Sequence, residues 1–123
     1  MELTDCPFFA RTGIVPQNDL ASARYDKHPV TPGHLLLVPF RRVASFFEAT
    51  PEERSALSSL LDEAKHLLDR LPRPDGYNIG VNDGECAGQT IWHLHVHLIP
   101  RYRGDVPNPR GGVRGVIPAK QSY

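Results

Sequence analysis

The spacing of apolar and polar positions changes several times along this chain, and each change marks an element. Leu20–Tyr25 reads as a short strand. Asp26-Lys27-His28-Pro29 breaks it, because the residue before a proline avoids the helical region. The unbroken run Leu35-Leu36-Leu37-Val38 lies between Pro32 and Pro39, so Gly33–Pro39 has the pattern of a central, buried strand. At Thr50 the period becomes helical. Thr50 is placed to be the N-cap, Pro51 the first helical residue and Glu53 the reciprocal partner of a capping box. Leu57, Leu60, Leu61, Ala64, Leu67, Leu68 and Leu71 then form one apolar stripe, with Glu52, Glu53, Asp62, Lys65 and Asp69 largely off it. Pro72 and Pro74 close a helix expected over Pro51–Leu71. Tyr77–Asn82 reads as another strand and Asp83-Gly84 as a turn, and Gly88–Ile91 leads into the segment Trp92–Pro100, whose alternation from His93 is that of a strand. Strands, one long helix and strands again predict an α+β fold with an antiparallel sheet packed by the helix.

Composition narrows the classes of function. The 123 residues suit one compact domain. Fourteen basic and 14 acidic residues cancel, which excludes a bulk positive field for holding nucleic acid. No apolar run approaches the length that spans a bilayer, and the acidic, proline-interrupted start is unlike a signal peptide. Two cysteines, Cys6 and Cys86, make no disulfide framework. The expectation is a cytoplasmic protein with reduced thiols and neither nucleic acid nor membrane as partner. From Arg101 onward, Gly104, Pro107, Pro109, Gly111, Gly112, Gly115 and Pro118 forbid regular elements, while Arg101, Arg103, Arg110, Arg114 and Lys120 face only Asp105. Residues 104–123 are read as an extension, either solvated or with Arg110 or Arg114 reaching an anion such as a polyphosphate.

Six histidines are more unusual, and three of them alternate in His93-Leu94-His95-Val96-His97-Leu98-Ile99-Pro100. In a strand His93, His95 and His97 would line one face, roughly 7 Å apart in succession, with Leu94, Val96 and Leu98 facing the helix. A single histidine in such a strand is usually structural. Three together are costly to bury, since each needs a hydrogen-bond partner. Two sharper readings remain open. Histidines at i and i+2 can share a metal ion. Alternatively, a neutral imidazole can attack an electrophile with a second imidazole assisting.

Here the sequence resembles the histidine triad family, whose signature is His-x-His-x-His with apolar residues between and after. Gly88-Gln89-Thr90, Asn82-Asp83-Gly84 and the block Asp26-Lys27-His28-Pro29-Val30-Thr31-Pro32-Gly33-His34 recur in the family's order and spacing, over roughly residues 3–103. The resemblance implies a HIT domain over residues 1–103, with about five antiparallel strands, one long helix and a homodimer made by joining sheets. It also implies a nucleotide substrate cleaved at its α-phosphate, as in dinucleoside polyphosphates or nucleoside phosphoramidates. His95 would attack, His97 would bond the phosphate and leaving group, the His93 carbonyl would orient the His95 ring, and His34 would lie beside the triad. Gln89 and Thr90 match phosphate-loop positions, Asn82 an amide at the phosphate or ribose, and Asp26 a ribose-binding position.

Plainer roles stand beside these. Asp26 could cap its turn, Asn82 could be a turn residue, and Gln89 and Thr90 could tie down a loop. His28 and His66 match no motif position and are read as surface residues. Many family members carry a structural zinc on two N-terminal cysteines, a later histidine and the first triad histidine. Here those positions read Cys6, Phe9, Arg42 and His93, so two of four ligands are absent and no metal or other cofactor is expected. A nucleotide-binding module without turnover, and less readily a metal enzyme built on the histidines, are the rival functions.

Overall fold

A computed structural model of the chain describes residues 15–70 and 73–123. Cys6 and Phe9, with Leu71 and Pro72 at the expected helix end, lie outside them. Strands β1 (Ala21–Tyr25) and β2 (Leu35–Pro39) precede helix α1 (Pro51–Leu68), and β3 (Gly76–Val81) and β4 (Val96–Arg101) follow it. All neighbours pair antiparallel in the order β1-β2-β4-β3, so the α+β architecture is as expected. Among the described residues the sheet has four strands instead of about five. The four segments with strand patterning are all present; the fifth strand rested on resemblance alone.

Helix α1 starts as its sequence requires. The Thr50 hydroxyl accepts from the Glu53 amide at 3.0 Å, and the Glu53 carboxylate accepts from the Thr50 amide at 2.8 Å. The Arg41 guanidinium also donates twice to Glu53, at 2.7 and 3.0 Å. That pairing holds the Glu53 carboxyl below its usual range and compensates its burial. The helix ends at Leu68, three residues before the expected Leu71. There the Asp69 carboxylate accepts from Lys65 and from the Tyr77 hydroxyl, anchoring the turn to β3.

Leu57, Leu60, Ala64 and Leu68 of α1 pack on Leu35, Leu37, Val96 and Leu98 of the sheet and on Leu94 just before it. Strand alternation sends Leu36 and Val38 to the other face, where they meet Ile91. His97 is in register between Leu36 and Gly80, so it stands on that same face, away from the helix. Gly80 presents no side chain, and the space beside it is open. Residues beyond Gly104 are not structureless. They form short 3₁₀ turns, Gly112–Val116 and Pro118–Lys120, the first lying against β3. Such turns need few residues in regular geometry, which is why the glycines and prolines did not prevent them.

Candidate active site

Two hydrogen bonds fix a chain of tautomers on the open face of the sheet. The Val30 amide donates to His34 Nδ1 at 3.1 Å, so neutral His34 carries its proton on Nε2. That Nε2–H donates to His97 Nδ1 at 2.9 Å, which puts the His97 proton on Nε2. The Asp26 carboxylate stands 3.5 Å from the same His34 nitrogen. Burial lowers the His34 pKa despite Asp26. His97 is pushed down to about 4 by burial and by its neighbours His95 and His34. Both rings are therefore neutral at pH 7, and His97 presents an N–H donor.

His95 has the opposite tautomer. Its Nδ1–H donates to the His93 carbonyl at 2.8 Å, so its unprotonated nitrogen is Nε2. Burial lowers its pKa, against the opposing pull of that carbonyl, and its ring lies 5.1 Å from the His97 ring, centre to centre. A neutral imidazole with an Nε2 lone pair thus adjoins an imidazole with an Nε2 proton. His93 is fully buried, with Nε2–H donating to the Pro39 carbonyl at 2.7 Å.

These contacts correct the expectation of one straight strand carrying all three histidines. Strand β4 begins only at Val96. Upstream, the Leu94 amide donates to the Val43 carbonyl at 2.6 Å, and the His93 and His95 rings bond to main-chain carbonyls. The backbone is diverted, and His93 turns into the interior. Leu94, Val96 and Leu98 do face the helix as expected.

The other candidates divide. Asp26 is next to His34 but also caps its turn, accepting from the His28 amide at 2.8 Å. Asn82 lines a cavity of about 470 Å³ shared with His34 and His97. Gln89 is buried, and its amide is spent within the protein. Its oxygen accepts from the Gly84 amide, and its nitrogen donates to the Ala44 and Ile91 carbonyls. Thr90 is exposed, and so are His28 and His66. Arg110 and Arg114 do not line that cavity; their guanidiniums lie 4.7 and 5.0 Å from the centre of the Tyr123 ring. The patterns did not point to Val30, Pro39 or Asp83. Asp83 caps the 3₁₀ turn Phe46–Glu48, accepting from Ser45 and the Phe46 amide. Pro39 and Asp83 act over long separations that no local spacing reveals, and Val30 acts through its main-chain amide, four residues before His34.

Asp26, His34 and His97 offer ligand atoms within 4.8 Å of one another, but the His34–His97 hydrogen bond occupies two of those atoms. The zinc set implied by the resemblance does not fit the residues present. His93 spends Nε2 on Pro39, and Arg42 stands close enough for its charge to lower the His93 pKa, behind burial as the larger cause.

A family model described as the HIT domain matches residues 10–104. The chain belongs to the HIT family. Over 93 residues it is 38% identical to the AP-4-A phosphorylase of Mycobacterium tuberculosis, covering 75% of this chain and 48% of that protein. Over 86 residues it is 36% identical to the asymmetrical bis(5'-nucleosyl)-tetraphosphatase of Schizosaccharomyces pombe, covering 70% and 47% respectively. The chain spans about half the length of these curated relatives. A crystal structure of a HIT family protein from Bacillus anthracis superposes with a TM-score of 0.75 at 33% identity, covering 82% of this chain and 76% of that one. All the residues singled out around the histidines fall inside the matched HIT domain, and residues 105–123 fall outside it.

Proposed function

We propose that this HIT chain cleaves dinucleoside polyphosphates at an α-phosphate through a nucleotidyl intermediate on His95, without a metal or other cofactor. The observation that carries the reading is the opposed pair of tautomers. The His93 carbonyl holds the His95 proton on Nδ1, leaving the Nε2 lone pair, beside His97 with Nε2–H. An uncharged nucleophile suits an anionic phosphate, and fixed donors suit the charge that develops on its oxygens. His95 Nε2 forms a bond to phosphorus as the bond to the bridging oxygen breaks. The polyphosphate leaves as its anion with a hydrogen bond from His97, and the Nδ1–H of the now cationic ring stays on the His93 carbonyl. Attack by water then expels neutral His95 and releases one proton to solvent. Asn82 and Asp26 are assigned to phosphate and ribose. Gln89 holds the loop that carries the exposed Thr90, and His34 orients His97.

The names of the two curated relatives both concern AP-4-A or a bis-nucleosyl tetraphosphate, and they differ in acceptor, phosphate or water. Catalysis is assigned to residues 1–103, in the cytoplasm, as a homodimer formed along β3. The outer edge of β3 has no strand partner among the described residues, and Ile79 on it is exposed.

Diadenosine tetraphosphate tests the reading. Water as acceptor yields AMP and ATP; phosphate as acceptor yields ADP and ATP. Acid-free quenching should trap AMP on His95, and His95→Asn should lose activity by several orders of magnitude while keeping its fold. Retained turnover in that variant overturns the nucleophile. Tight nucleotide binding with no product from the native chain would make the protein a binding module.

A further inference from the structure

The cavity beside His97 has one wall that the HIT domain does not supply. His34, His97 and Asn82 line it, and Val113 and Val116 of the 3₁₀ turn Gly112–Val116 line it too. At about 470 Å³ it falls within the range of small-molecule sites. With both histidines neutral, none of the side chains lining it among the described residues carries a charge at pH 7.

Val113 and Val116 are 65% and 79% exposed. Apolar side chains gain nothing from being held in water, yet the surrounding segment is built to hold them. Arg110 and Arg114 both lie over the Tyr123 ring, and Arg114 Nε donates to the Lys120 carbonyl at 3.1 Å. Gly111 takes a φ of +78°, and a side chain there would overlap the Gln121 carbonyl. At Gly112 an added Cβ would come within 3.2 Å of the Asn78 amide nitrogen. The segment closes on itself and docks on β3.

We infer that residues 110–123 are a latched specificity wall, in which Val113 and Val116 pack against the base of the leaving nucleotide. The inference rests on the reaction proposed above and deepens it. His97, the residue assigned to the leaving group, lines the cavity, and the cavity is accordingly placed on the leaving-group side. Its uncharged lining does not match a polyphosphate chain, and the nearby guanidiniums are engaged with Tyr123. A flat, neutral ring with polar edges matches both the valines and the Asn78 amide.

The test compares diadenosine tetraphosphate with adenosine 5′-phosphoramidate, whose leaving group carries no ring. The variants are Val113→Ser with Val116→Ser, Tyr123→Ala, and Tyr123→Phe, which keeps the ring under the guanidiniums. The double serine variant and Tyr123→Ala should each lose about tenfold in kcat/KM on the tetraphosphate, mainly through KM. The phosphoramidate should change by less than about twofold, and Tyr123→Phe should match the native chain. Equal losses on both substrates, or none on either, overturn the wall. If the native chain turns over neither substrate, the reaction is refuted and the wall is judged by affinity. A fall of about tenfold in diadenosine tetraphosphate binding relative to AMP then sustains it, and an unchanged ratio overturns it.

Discussion

The tautomer chain can be broken at its middle by His34→Ala. In the native protein the Val30 amide leaves His34 only Nε2–H to offer, and His34 in turn leaves His97 only Nε2–H. Long-range proton–nitrogen correlation spectra read this directly. His34 and His97 should show Nε2–H, His95 should show Nδ1–H, and His97 should titrate near pH 4. The alanine removes a buried ring that lowers the His97 pKa and admits water beside it. The His97 titration should therefore move up, toward 6.5, and the ring should become a mixture of tautomers. One hydrogen bond between neutral groups is worth about 1 kcal/mol net, and His97 is only half-buried, so water compensates part of the loss. Turnover should fall by about fivefold, far less than for loss of the nucleophile. A native His97 carrying its proton on Nδ1, or titrating near 6.5, would refute the chain. So would a His34→Ala variant with an unmoved His97 pKa.

The depressed imidazoles also make folding stability depend on pH. Between about pH 6.5 and about pH 4 the unfolded chain binds protons that folded His97 refuses, and His34, His93 and His95 add in the same direction. Stability should therefore fall as pH is lowered through that window, and denaturant midpoints that rise on acidification would contradict the assignment. Gly33→Ala should cost about 1–3 kcal/mol in thermal unfolding. Gly33 has a φ of +90°, and a Cβ would approach the Leu68 side chain to 3.0 Å; an unchanged Tm would mean that the turn relaxes freely.

What was legible in the sequence was local. Thr50 and Glu53 announce the start of α1 three residues apart, and the apolar run before Pro39 announces β2, because both signals lie inside the element they specify. The alternation of His93, His95 and His97 was legible in their spacing, and His34 came with the family resemblance. The backbone course at His93 was not, since alternation alone predicts a straight strand. Bonds to Pro39 and Val43, far upstream, diverted it. Asp69 shortened the helix through Tyr77, eight residues on. The order of residues 110–123 depends on two arginines sharing one aromatic ring, which leaves no periodic trace.

The buried amide of Gln89 spans three chain segments: the Gly84 turn, the stretch after β2 at Ala44, and its own strand approach at Ile91. A loop pinned at three points loses its conformational freedom when the protein folds. In the reaction proposed above, a phosphate arriving at this loop would be spared the entropic cost of ordering it. Association should accordingly be governed by diffusion and charge, with little gating by loop closure.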